Sequence, residues 1–207
     1  MNMKILYITL SAIILIGGAV YMLSDNKAFA DILANIPPFQ PGPPVCGGTE
    51  DYTNTDAPKV IKSKKIEDFR FRFDGSSAVS MGDDPLPSGR YELQMRRIDG
   101  EKAEMSVKCT DPCQRILDIK TEVPAEALDR LQKIIDDQKL AEINGWYKRN
   151  SALGCSFNLS VVYDSQEKLT AGGEGGCSVV PHNLGSFTFV KLFKELAVSK
   201  GFEFVCK

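Results

Sequence analysis

The stretch Asp68-Phe69-Arg70-Phe71-Arg72-Phe73-Asp74 decides the fold. Phenylalanine alternates with a charged residue, and the extended chain, whose successive side chains leave opposite faces, is the backbone that separates the two kinds. Entered from Ile66, the stretch reads as a strand with one wet face and three phenylalanines directed into a core. Such a strand needs partners, and the flanking sequence supplies them. Tyr91, Leu93 and Met95 begin a second alternating run and Ala103, Met105 and Val107 a third, with Asp99-Gly100 between them. The interval from Gly75 to Gly89 holds Ser, Gly, Asp and Pro and reads as a loop. A two-residue Asp-Gly turn would set Leu93 opposite Ser106 and Tyr91 opposite Lys108, mixing the faces, so an odd loop is expected. A three-residue loop, Ile98-Asp99-Gly100 with Gly100 left-handed, pairs Leu93 with Met105 and Tyr91 with Val107.

Downstream, Pro124 suits the first turn of a helix whose inner stripe is Leu128, Leu131, Ile134 and Ile135, ended by Gly145. Phe157, Leu159, Val161 and Tyr163 alternate again, and the turn Asp164-Ser165-Gln166-Glu167 leads to Leu169 and Ala171. Ser186 can cap a second helix, with Phe189, Leu192, Phe193 and Leu196 at i, i+3, i+4, i+7 and Gly201 past its end. Strands arriving as hairpins, with no helix between partners, predict an α+β fold: an antiparallel sheet of hairpins, two helices packed on one face, disulfide-stapled.

Upstream, Ile5 to Leu23 is a 19-residue uncharged stretch after Lys4, followed by Ala28-Phe29-Ala30 before Asp31. The small residues suit cleavage after Ala30, whereas the length exceeds the roughly 7 to 15 residues of a signal core and approaches the roughly 20 that span a bilayer. Residues 1–30 are therefore a signal peptide or a membrane anchor, and either outcome sends residues 31 onward across the membrane. No Cys lies near the end of this leader, which excludes a lipid anchor there. Residues 31–58, with Ile36-Pro-Pro-Phe-Gln-Pro-Gly-Pro-Pro44, read as an extended Pro-rich linker, and 59–207 as a single α+β extracytoplasmic domain.

The 207 residues are 43% hydrophobic and 25% charged, ordinary for a globular domain, and the net charge of -2 offers no broad basic surface for nucleic acid. All six cysteines lie beyond the leader, and an even number in an exported segment favours disulfides over thiol or zinc chemistry. If Gln166 is the middle of its turn, Tyr163 faces Leu169 and Cys155 faces Cys177 on the apolar face, at a separation near what a disulfide needs. A bulge among Gly172, Gly173, Gly175 and Gly176 would shift that register. Cys109 and Cys113 bracket a Thr-Asp-Pro turn and pair locally, which by elimination leaves Cys46 to clip Cys206.

His182 is the only histidine, so a zinc site with two His ligands is impossible and any Ser-His-Asp or Cys-His system must pass through it. The sharp alternative is a Cys177 nucleophile with His182 as base, set against a disulfide cysteine beside an exposed loop histidine. Gly172-Gly-Glu-Gly-Gly176 lacks the order of a phosphate cradle and reads as a bulged strand end. Cys109-Thr-Asp-Pro-Cys113 lacks the spacing of a redox motif. Asp83-Asp84, Asp136-Asp137 and Glu101 with Glu104 read as solvated carboxylates, and Glu50, Asp51 and Asp56 lack calcium-loop spacing. Trp146-Tyr147, after Gly145, reads as core at a helix-to-strand junction.

From Gly145-Trp146-Tyr147 through Phe157-Asn-Leu-Ser-Val-Val-Tyr163 to Pro181 and the closing helix, together with Phe69 to Phe73, the chain resembles uncharacterised domains of exported and lipoprotein-type bacterial envelope proteins. The resemblance covers the last third of the chain and implies a fold rather than an activity. The expectation is an exported or membrane-anchored cell-envelope protein, a non-enzymatic binding or structural module. It has no cofactor or metal, and its partner is an envelope ligand or protein, plus the membrane if the leader stays. The alternative is a hydrolase or thiol enzyme using Cys177 and His182.

Overall fold

A computed structural model describes residues 48–74, 89–151 and 155–206, with the Cys177 side chain excepted. Among the described residues eight strands form one sheet: β1 (Glu50–Asp51), β2 (Ile66–Asp74), β3 (Arg90–Arg97), β4 (Lys102–Thr110), β5 (Ile116–Pro124), β6 (Tyr147–Arg149), β7 (Phe157–Tyr163) and β8 (Lys168–Glu174). Their spatial order is β1-β6-β8-β7-β2-β3-β4-β5. The Phe-Arg strand β2 is thus central, antiparallel to β3 on one side and β7 on the other. Phe69, Phe71 and Phe73 are buried while Arg70 and Arg72 face solvent. Helices α1 (Glu126–Asp137) and α2 (Ser186–Ser199) add their apolar stripes to the same core, making the α+β layering expected from the sequence. Phe189 of α2 sets its ring 5.2 Å from both Phe69 and Phe71, and Phe73 stacks 5.2 Å from Tyr91.

The sheet is mixed, which corrects the antiparallel expectation. Strands β6 and β7 run in opposite directions, and β8, returning from β7 as a hairpin, inserts between them. Being antiparallel to β7, it must be parallel to β6, and Tyr147 pairs with Gly172 through Arg149 with Glu174. Glycine makes the insertion possible. A Cβ on Gly172 would stand 3.0 Å from the Tyr147 ring, and one on Gly173 would stand 2.9 Å from both the Phe157 ring and Val179. These glycines lie within the ladder rather than in a bulged end.

Both hairpins obey the facing rule but turn about a different residue. Tyr91 pairs with Cys109, Leu93 with Val107 and Met95 with Met105, two residues from the expected register, and Gly100 is not left-handed. The Asp99 carboxylate sets this turn by accepting from the Glu101 and Lys102 amides at 2.8 Å each. In the other hairpin Val161 pairs with Leu169, so the turn centres on Ser165, with Gln166 left-handed at φ 66°. That ladder closes at Phe157 with Gly173, and the register no longer sets Cys155 opposite Cys177.

Strand β5 was not foreseen, although Leu117, Ile119 and Val123 alternate on its buried side. Pro124 ends it, and α1 starts two residues later with Glu126 and Asp129 in its first turn, where the macrodipole favours them. Ser186 is the first helical residue of α2, not its cap. Gly201, at φ 84°, closes α2 with paired bonds from Phe202 N to Ala197 O and from Gly201 N to Val198 O.

The end of the expected linker is part of the domain. Strand β1 pairs with β6, the Tyr52 amide donates to Tyr147 O, and the Asn54 amide donates to Gly145 O. Buried Asn144 then clamps the segment: its Nδ2 donates to Pro58 O and Lys168 O, and its Oδ1 accepts from the Thr170 amide. The three-residue strand β6 offers a bare edge, and residues 50–58 satisfy it. The leader and the Ile36 to Pro44 segment lie outside the described residues, among which no helix is long and apolar enough to cross a membrane.

Two predictions follow from this packing. Phe69→Ala removes the ring at the centre of the aromatic cluster and is expected to cost about 4 kcal/mol in urea unfolding. Glu167, outside the turn of the β7–β8 hairpin, accepts from the Lys62 and Ser63 amides and from Ser165 Oγ, which hold its carboxyl down at about 2. A depressed carboxylate stabilises the fold above its unfolded value near 4.5 and loses that contribution as pH falls toward about 2. Glu167→Gln should therefore lower the urea midpoint at pH 7, and the gap from the parent should shrink between pH 5 and pH 3.

Candidate functional site

The helices cover one face of the sheet and leave the Arg70–Arg72 face of β2 exposed. Register places one row of side chains across five strands: Asn158 on β7, Arg72 on β2, Glu92 on β3, Lys108 on β4 and Asp118 on β5. From Arg72 onward the charge alternates with every strand. At strand spacing the row spans about 19 Å. Arg72 pairs with Glu92 at 3.0 Å and Lys108 with Asp118 at 3.4 Å, all four side chains being about half exposed or more.

The next row carries Arg70, Gln94, Ser106 and Lys120, so its centre is neutral. Beyond it, Glu104 receives Lys120 at 3.0 Å and Arg96 at 3.6 Å. Gln94 and Ser106 thus lie between two flanking rows of ion pairs, in an open depression of about 750 Å³. A second depression of about 520 Å³ continues past Arg72, Glu92 and Asn158 to Tyr147 and Glu174. Exposed pairs contribute little to stability, so their charges can be re-paired with a ligand at small cost. The face can hold a polar chain bearing both acceptors and donors. Among the described residues, no group of three metal-binding side chains forms.

Cys177 begins a 3-10 turn ending at Val179, with its side chain outside the description, and His182 is exposed in the segment after it. Trp146 is half-buried against the core as expected, its indole donating to Val179 O at 2.9 Å with Lys148 Nζ 4.2 Å from the ring centroid. Asp136 and Asp137 face Lys64 and Lys133 in exposed ion pairs. Asp83 and Asp84 lie outside the described residues.

Two of the expected bridges, Cys109 with Cys113 and Cys46 with Cys206, are not formed. Cys109, Cys113 and Cys206 carry free thiols and Cys155 is disulfide-bonded, whereas Cys46 and the Cys177 side chain lie outside the described residues. Cys113 lies exposed within the β4–β5 turn. The Asp111 carboxylate locks that turn, accepting from the Arg115 amide at 2.8 Å and from Arg115 Nε at 2.6 Å. Burial would raise the Asp111 carboxyl, but the Arg115 bonds outweigh it and hold it below its ordinary value. Cys109, four residues earlier, instead points into the core and is fully buried. The two thiols thus lie in different environments, one in the core and one in solvent. Cys206 lies beside Cys109, which corrects its assignment to Cys46.

Compared with known proteins, the chain matches no family model and no curated sequence. The site therefore rests on its own geometry.

In the sequence Arg70 and Arg72 are legible only as the wet side of a strand. The cross-strand row needs the registers of four ladders, one of which, β3–β4, turns about another residue than expected. Arg72→Ala and Glu92→Ala are each expected to change unfolding free energy by less than about 1 kcal/mol, as for exposed ion pairs. Urea denaturation of the two single variants and the double variant checks it.

Proposed function

We propose that the chain is an exported or membrane-anchored module of a cell envelope, binding or structural rather than catalytic, stapled by disulfides. Its ligand lies on the open face of the sheet. The carrying observation is the row Arg72, Glu92, Lys108 and Asp118, whose sign changes with every strand beside the neutral floor of Gln94 and Ser106. A ligand matched to it carries carboxylates and ammonium groups along an extended polar chain, as the cross-linked glycopeptide of a cell wall does. Export is supported by the uncharged leader behind Lys4, by the even cysteine count beyond it, and by the resemblance to envelope domains.

Two measurements test the reading. Protease added to intact spheroplasts should digest the domain, and protection until lysis would overturn the export half. The full chain should sediment with purified insoluble wall glycopeptide, with retention falling as salt rises. The triple variant Arg72→Glu, Lys108→Glu, Lys120→Glu should lose at least about tenfold in retention, since each reversal replaces an attraction with a repulsion. Equal retention of parent and variant would remove the sheet face from the function.

A further inference from the structure

We infer that Cys109 and Cys206 form a disulfide that fastens the carboxyl-terminal segment to the end of the sheet. The inference rests on the export reading only for the oxidant that closes the bond, and it deepens the disulfide part of that reading by naming the pair.

The geometry begins with β4. Cys109 sits on the buried face in a cross-strand row, between Tyr91 on β3 and Leu117 on β5. After α2, the turn at Gly201 redirects the chain, and buried Phe204 seats residues 202–206 against the core. That brings Cys206 to within 3.7 Å of Cys109, with its Sγ 3.9 Å from Cys109 O. A disulfide needs about 2 Å between sulfurs, so closing the bond asks for a shift of less than about 2 Å. Cys206 lies outside helix and strand, beyond the end of α2. Cys109, fixed by two ladders, can stay where it is.

The surroundings favour a cross-link over a reactive thiol. Burial, with Cys206 next to it, pushes the Cys109 thiol up to about 12, which makes it a poor free nucleophile. The Tyr91 hydroxyl bonds the Cys109 sulfur, and burial raises that phenol as well. Cys206 is half-buried and meets an incoming reagent first. The oxidant is a disulfide, R–S–S–R, from a small thiol or a protein of an oxidising compartment. Cys206 as thiolate attacks one sulfur, forming Cys206–S–S–R and releasing R–S⁻, which takes up a proton. Cys109 then gives up its proton and attacks the Cys206 sulfur, displacing the second R–S⁻. The pair loses two electrons and two protons, and the reagent leaves as two R–SH.

The bond would tie residues 97 apart in sequence, a long loop whose closure restricts the unfolded chain strongly. The full-length chain, solubilised in mild detergent, is incubated with glutathione disulfide, alkylated, digested without reductant and mapped by mass spectrometry. A linked peptide pair containing Cys109 and Cys206 is expected. Alkylation of both, or a link from either to Cys113 or Cys46, would overturn the assignment. Cys206→Ser, which leaves the buried position on β4 untouched, should lower Tm by about 10 °C relative to the oxidised parent and by almost nothing after both are reduced. An equal difference under both conditions would also overturn it. The same map on chain taken directly from cells separates the two readings. A bond formed in the redox buffer but missing from cells sinks export and leaves the pairing standing, whereas digestible exported chain with other links sinks the pairing alone.

Discussion

Strand β2 has neighbours on both long edges and two different environments on its faces, and every other element conforms to that arrangement. Phe69, Phe71 and Phe73 need a covering layer, which α2 supplies through Phe189 and Phe193. Arg70 and Arg72 cannot enter such a layer, since burying a guanidinium without a partner is costly, so the opposite face stays open to water. A one-residue slip of β2 against β3 or β7 would exchange the two faces, and this penalty fixes the register through the centre of the sheet. The charged row across β2 to β5 inherits its alignment from that apolar requirement on the other side.

The strands of the two hairpins, the stripes of both helices and the α+β layering were legible in the sequence because each rests on periodicity. Turn centres were not, because short polar side chains decide them: Asp99 captures two amides, and Gln166 takes the left-handed position without glycine. The insertion of β8 between β6 and β7 was also invisible, since parallel neighbours in space are separated in the chain. Gly172 and Gly173 carried its trace, but glycine marks close approach without naming what approaches. Residues 50–58 looked like continued spacer because their role is to satisfy an edge whose existence depends on that insertion.

The same limit governs the sites. Alternation exposed Arg70 and Arg72 singly, whereas their alignment with Glu92, Lys108 and Asp118 required correct pairings. The cysteines show it most clearly: closeness in sequence favoured Cys109 with Cys113, yet the Asp111 turn separates a buried thiol from an exposed one and leaves Cys206 as the neighbour. Local spacing is a poor guide where a tight turn sorts its two ends into different environments.

The attachment of residues 50–58 has a mechanical consequence. Tension entering through residue 48 would first meet β1, whose two-residue ladder peels one bond at a time and gives way under small load. The slack released would end at Pro58, whose carbonyl accepts from the same Asn144 amide that bonds β8 at Lys168 and Thr170. The domain thus carries a short extensible leash in series with a stiff body, able to absorb a tug before its core feels it.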